Sequence, residues 1–204
     1  EQAAALCARW EGQALAVQAD VADRDQVAAL FRQAEQAFGP AEVLVNNAGI
    51  AQQKLFTDIP PAEWRRMLAV HLDGPFYCCQ AALPAMIRAK WGRIINISSM
   101  WGQVGGSCEV HYSAAKAGLI GLTKALAQEE GPSGVTVNCI APGVVETDMM
   151  AGFSAADKQA LAEETPLCRL GRPEEVAAAA VFLAGDQAAF ITGQVLGVNG
   201  GLVV

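Results

Sequence analysis

An α/β fold built on a doubly wound parallel sheet is the class the sequence predicts. Three observations predict it. Short apolar, often β-branched runs alternate with helical stretches of ~10–20 residues, the signature of βαβ units. Glycine is abundant, at 20 of 204 residues, whereas aromatics make up only 6%; a β-sandwich would carry more Tyr, Thr and Trp. The residues with reactive or turn-forming side chains follow the predicted strands, where ligands sit in open parallel sheets.

The elements follow in order. Residues 1–10 read as the body of a helix, with Ala5, Leu6, Ala8 and Trp10 apolar and no capping residue ahead of them. They imply that the chain is a fragment of a longer reading frame. Ala14–Ala19 reads as a strand ending at Asp20. Asp23 can cap a helix running to Phe38, with Val27, Leu30, Phe31 and Ala34 on one face and Gly39 as its stop. Glu42–Val45 is a buried strand leading into Asn46-Asn47-Ala48-Gly49. Pro61–Lys90 is mostly helical, with a break expected near Gly74-Pro75. Arg93–Ser98 is a strand, Val110–Glu130 a helix, and Val135–Ile140 a strand ending in Pro142-Gly143. Ala151–Glu164 reads as a mobile helical segment. Pro173–Ala184 is a helix opened by proline, and Gln194–Val198 is the last strand. With no repeat, linker or low-complexity tract, residues 1–204 form a single domain in this reading.

Composition narrows the function. A chain that is 52% apolar and 17% charged buries a large core and is not disordered. Its net charge of −7 comes with no basic cluster, which argues against nucleic acid as a partner. No apolar stretch approaches the ~20 residues of a bilayer span, and no signal peptide opens the chain. The cysteines at 7, 78, 79, 108, 139 and 168 form no CxxC pair and have no histidine at ligand spacing, so no metal site is expected. A reduced, cytoplasmic protein is the resulting expectation.

Tyr112 and Lys116 stand four apart on a predicted helix and share a face. A phenol of pKa ~10 is a poor acid or base near neutrality, and a neighbouring ammonium lowers that value. Such a pair is a plausible general acid/base. Ser99 precedes Tyr112 by thirteen residues, at the end of a predicted strand. The glycine-rich stretch Gly102–Gly106 is flexible enough to bring the two together.

Taken with Asp20-Val21, the Asn-Asn-Ala-Gly turn, Ile97-Ser98-Ser99, Val137-Asn138, Arg169-Leu170-Gly171-Arg172-Pro173 and Gly193 through Gly201, these residues resemble the short-chain dehydrogenase/reductase family over nearly the whole chain. The resemblance implies a Rossmann-like fold and an NAD(P)H-dependent oxidoreductase that interconverts a ketone and a secondary alcohol. It implies that Tyr112 gives the proton, that Lys116 lowers the phenol's pKa and bonds the nicotinamide ribose, and that Ser99 holds the carbonyl oxygen. Asp20 and Val21 would contact the adenine; Asn47, Ala48 and Gly49 would flank the adenosine ribose. Pro142, Gly143, Val145 and Thr147 would line the nicotinamide and pyrophosphate. His71 stands where the family usually has a catalytic Asn, and its main-chain carbonyl or an imidazole relay near neutral pH could serve there. His111, by contrast, is expected at the surface or an interface.

The family's glycine-rich turn is absent. Gly193, Gly197 and Gly200 overlap the last strand with no helix after them, and so are no substitute. The resemblance therefore implies a sheet lacking its first βαβ unit, with the flank of a central strand exposed. It also implies NADP(H) rather than NAD(H), and a homodimer or homotetramer using the apolar end Leu202-Val203-Val204. Met149, Met150 and Phe153 fall where the family has a substrate lid. Met100 and Trp101 line the pocket or pack the loop, while Arg169, Arg172, Glu174 and Glu175 anchor a loop. Within the family the chain resembles bacterial 3-oxoacyl-acyl-carrier-protein reductases. Ser98-Ser99-Met100-Trp101-Gly102 and Ser107-Cys108-Glu109-Val110 resemble a subgroup that reduces the 5-aminopentanone modification on elongation factor P. In that case Glu109 would contact an ammonium group. A nucleotide-binding scaffold without catalysis is the third reading.

Overall fold

The computed structural model describes residue 3, residues 7–10 and residues 12–204. The helix body expected at the start of the chain lies largely outside the described residues. The first full helix, α1, spans Arg24–Phe38. Asp23 caps it as expected, its carboxylate accepting from the N–H groups of Asp25 and Gln26. Gly39 ends it with φ 84°, a left-handed geometry that glycine adopts without steric cost.

Four strands follow among the described residues: β1 (Val43–Asn46), β2 (Gly92–Ile97), β3 (Val135–Pro142) and β4 (Val195–Val198). They lie in the order β1-β2-β3-β4, and every pairing is parallel. Parallel strands need crossovers, which the helices supply. Pro61–Leu68 is α2, Gly74–Ala89 is α3, and between them Ala69–Asp73 forms a π-helical turn. The helix therefore changes just ahead of the expected break at Gly74-Pro75. Trp101–Val104 is the single turn α4, Val110–Glu130 is α5, Ala155–Glu164 is α6 and Pro173–Ala184 is α7.

β2 and β3 are apolar runs because both faces of the sheet are covered. Ile94, Val135 and Val137 pack with Cys79, Ala82 and Met86 of α3 and Ala127 of α5. On the other face, Ile95 and Ile140 pack with Leu183 of α7 and Ala188. Alternation along each strand assigns its residues to the two layers.

Ala14–Ala19 does not form a strand. A strand exists only through its ladder, and no described residue pairs with this segment or with the outer edge of β1. Val43 and Val45 of β1 remain 41% and 45% exposed. The stretch Gly102–Gly106 is also less free than expected. Part of it is α4, and Gly102 lies so close to α5 that an added Cβ would come within 2.8 Å of the Lys116 carbonyl carbon.

Candidate active site

The carboxyl end of β2 carries the centre of the site. Ile97 ends the strand, and Ser98 and Ser99 follow it. The Ser98 hydroxyl donates to the Lys116 carbonyl at 2.9 Å, and the Lys116 ammonium donates to the Ile97 carbonyl at 2.6 Å. α5 is thus fastened to the strand end at the one turn that carries Lys116. Tyr112 lies one turn earlier on the same face, its ring centroid 5.6 Å from Lys116 Nζ. Ser99 is buried, and its Oγ accepts from the Trp101 N–H at 3.1 Å. That bond uses a lone pair and leaves the Ser99 hydroxyl proton available to another acceptor.

Lys116 is 5% exposed, and burial pulls its pKa down to about 8. Among the described residues no carboxylate pairs with it. A buried ammonium held by one carbonyl keeps further N–H donors for a hydroxylated ligand. The Tyr112 pKa corrects one expectation. Burial raises it above the ordinary phenol value, partly opposed by the Ser99 hydroxyl and reinforced by the charge of Glu109. Lys116 is not among the causes; its ammonium donates to the Ile97 carbonyl.

His71 sits in the π-helical turn, is 1% exposed, and meets the Tyr112 ring edge-on with centroids 5.2 Å apart. Its Nε2 lies 2.7 Å from the Ile50 carbonyl oxygen and 3.1 Å from the Ile50 nitrogen, and the tautomer decides which of the two it bonds. Gly49 is required beside it, since an added Cβ would fall 2.6 Å from His71 Cε1. Burial, then the Lys116 charge, takes the imidazole pKa down to about 4. The ring is therefore neutral at pH 7 and does not exchange protons near neutrality, contrary to the relay expected of it. Its main-chain carbonyl remains a candidate, because Pro75 has no N–H to offer it four residues on.

The depressed His71 pKa has a measurable consequence. Between its ordinary value of 6.5 and about 4, the unfolded chain takes up a proton that the folded chain refuses. This contribution to stability is complete above pH 6.5 and is lost as the pH falls. At pH 5 the loss is about 2 kcal/mol. His71→Asn removes it, so the variant's melting temperature should fall less than the wild type's between pH 7 and pH 5. Equal falls would contradict a buried, neutral imidazole.

The other sequence-derived positions fall along the same edge of the sheet or beside it. Asn47, Ala48 and Gly49 are exposed at the end of β1. The Asp20 carboxylate is not free: it accepts from the Ala22 N–H at 3.0 Å and from Arg66 at 2.8 Å. Val21 lies against Gly74, where an added Cβ would come within 2.9 Å of its side chain. Pro142 accepts from the Met100 N–H, and Gly143 donates to Val198. Val145 bridges to Gly171, and Thr147 precedes a short 3-10 turn. Met150 is buried and Met149 exposed, so only part of the expected lid is free. Met100 is 3% exposed and packs the interior, while the Trp101 ring covers Gly106. Arg169 and Arg172 converge on Glu175, the first through two bonds of 2.8 and 2.6 Å.

Two features escaped the sequence reading. His111, expected at the surface, is 0% exposed: the Ile50–Lys54 segment folds over it and puts Gln52 Oε1 3.1 Å from its Nε2. Asn46, Asn96 and Thr123 form a buried chain from β1 through β2 to α5, with both links at 2.8 Å. An asparagine inside the apolar run Arg93–Ile97 was the available signal for it.

These residues fit the nicotinamide half of a dinucleotide: a buried ammonium with no carboxylate partner among the described residues, and a serine hydroxyl bonded to a protonated phenol at one strand end. Residues 1–203 match a family model described as enoyl-(acyl carrier protein) reductase. Nodulation protein G of Azospirillum brasilense is 43% identical over 202 residues, covering 96% of this chain and 82% of that protein. A 3-oxoacyl-[acyl-carrier-protein] reductase of Staphylococcus aureus is 43% identical over 187 residues, covering 92% of this chain and 76% of its own. Its counterpart from Aquifex aeolicus is 50% identical over 161 residues, covering 79% and 65%. The chain belongs to the short-chain dehydrogenase/reductase family of NAD(P)-dependent oxidoreductases.

Proposed function

We propose that the chain reduces the ketone of a 3-oxoacyl thioester, carried by acyl carrier protein, to a secondary alcohol. The observation that carries the chemistry is the convergence of Ser99, Tyr112 and Lys116 on one strand end. The substrate class rests on likeness to relatives named as 3-oxoacyl-[acyl-carrier-protein] reductases. The reduced nicotinamide, when bound, supplies the hydride. Tyr112 gives its proton to the carbonyl oxygen; a phenol with a raised pKa is fully protonated at neutral pH, as an acid must be. Ser99 donates to the same oxygen and holds it as negative charge develops. Lys116 holds the ribose with the N–H donors that the Ile97 carbonyl leaves free.

NADP(H) is the proposed coenzyme, with Asp20 and Val21 toward the adenine, Asn47, Ala48 and Gly49 toward the adenosine ribose, and Pro142, Gly143, Val145 and Thr147 toward the nicotinamide and pyrophosphate. We further propose one domain, assembling as a dimer or tetramer; the exposed Phe190 and Val204 favour assembly. A cytoplasmic site agrees with the absence of any disulfide among the six cysteines. No helix among the described residues is long and apolar enough to cross a membrane.

One observation favours a second reading, reduction of the 5-aminopentanone group on elongation factor P. Glu109 is partly buried beside Tyr112, burial raises its pKa, and its side-chain bond to Gln53 is long, at 3.5 Å. A substrate ammonium would relieve that carboxylate. The test follows NADPH and NADH oxidation with a 3-oxoacyl thioester and, separately, with ketone-bearing elongation factor P. Turnover of the thioester is the expected result. Turnover of the modified protein alone would replace the first reading by the second. Oxidation of neither coenzyme with either substrate would remove both.

A further inference from the structure

The buried histidine next to the proton donor has no part in the chemistry above, yet it closes a circuit of contacts around that donor. His111 opens α5 immediately before Tyr112, and its Nε2 lies 3.1 Å from Gln52 Oε1. Only Nε2–H can donate to an amide oxygen, so the second nitrogen, Nδ1, is bare; it has no hydrogen-bond partner. Two residues before Gln52, both the N–H and the carbonyl of Ile50 meet His71 Nε2, at 3.1 and 2.7 Å. His71 in turn rests edge-on against Tyr112. The Ile50–Lys54 segment has two further ties: the Lys54 N–H donates to the Cys108 carbonyl at 2.8 Å, and the Lys54 ammonium pairs with Glu63 of α2 at 2.6 Å.

We propose that His111 is a positioning residue. Through Gln52 it fixes the Ile50–Lys54 segment on the first turn of α5, and through that segment it seats His71 against the Tyr112 ring. The Lys54–Glu63 pair is about one-third exposed and holds the far end of the segment, two residues beyond Gln52. The near end is held by two side-chain ties, from His111 to Gln52 and from His71 to Ile50, and the first sets where the second can form. Losing the first leaves Gln52 Oε1 without its donor and lets Ile50 move away from His71. Tyr112 is then more open to water and its pKa falls toward the ordinary phenol value.

This inference rests on Tyr112 acting as the acid, and its test separates the two ideas. His111→Ala, Gln52→Ala, the double variant, His111→Gln and His111→Asn are compared in the complete reading frame. His111→Ala and Gln52→Ala are each expected to lower kcat on the order of tenfold, because small misplacement of a reacting group is costly. The double variant should lose no more than either single one, since both break one bond. The basic limb of the pH profile should move downward in each. His111→Gln can place its amide N–H near the Nε2 position and should restore activity; His111→Asn, with its donor near Nδ1, should not.

Amide hydrogen exchange gives a reading that needs no turnover. The Ile50 and Lys54 N–H groups should exchange faster in both alanine variants. If the wild type proves inactive on every ketone, the acid role of Tyr112 fails while exchange still reports on the tether. Unchanged exchange, additive losses, or equal activity of the Gln and Asn variants would each overturn the proposal. So would a lower melting temperature with kcat and the pH profile unmoved. Should His111→Ala fail to fold, Gln52→Ala carries the same comparison.

Discussion

Tyr112→Phe will lower kcat/KM by ~10³-fold or more, the upper part of the range for removing a general acid. The substitution keeps the ring, and with it the edge-on contact to His71 and the packing that buries the site. It removes one oxygen and the proton that oxygen would give. A loss of that size corresponds to about 4 kcal/mol of transition-state stabilisation. Coenzyme affinity should stay nearly constant, because the Lys116 ammonium is held by Ile97 rather than by the phenol. Steady-state kinetics beside a fluorescence titration with NADPH checks both parts. A loss smaller than about tenfold would mean that the proton comes from another group. Equal coenzyme binding with no measurable wild-type reduction would favour a nucleotide-binding scaffold.

Asn96→Ala will destabilise the fold by about 2–4 kcal/mol. Asn96 is 0% exposed and links two elements: it accepts from Asn46 Nδ2 and donates to Thr123 Oγ1, both at 2.8 Å. Truncation leaves the Asn46 amide with only the weak contact to Cys79 Sγ at 3.5 Å. It also opens a cavity between β2 and α5. Urea unfolding should show a lower midpoint with an unchanged slope, since the surface exposed on unfolding is nearly the same. A change under about 1 kcal/mol would mean that the sheet relaxes around the gap and that Asn46 finds a new partner. Asn46 begins the Asn-Asn-Ala-Gly turn, so a large effect would also show what holds that turn to the sheet.

Local chemistry was legible in the sequence wherever it decides structure by itself. Asp23 and Gly39 bracket α1, and Val110 and Glu130 bound α5 as read, because caps and periodicity are properties of neighbouring residues. Ser99, Tyr112 and Lys116 come together because strand ends and helical spacing leave few other arrangements. Relations between distant segments were not legible. Ala14–Ala19 has the composition of a strand but finds no ladder. His111 was assigned to the surface because helical spacing gives its angle from Tyr112 and not the loop that covers it. The Tyr112 pKa was misjudged for the same reason. Proximity of an ammonium suggests a downward shift, but burial depends on packing.

The turn at Ala69–Asp73 closes with the Gly74 N–H donating five residues back, to Ala69. It thus accommodates one residue more than an α-helical turn would, in a helical stretch otherwise in register. Removing one residue there would return the stretch to regular spacing and rotate α3 by about 100° relative to α2. Cys79, Ala82 and Met86 would swing off the sheet while Met67 and Val70 kept their places. This stretch should therefore accept many changes of side chain but no change in its number of residues. Homologous chains that align without a gap across it inherit the same rotation of α3, and with it the placement of residue 71 beside the tyrosine.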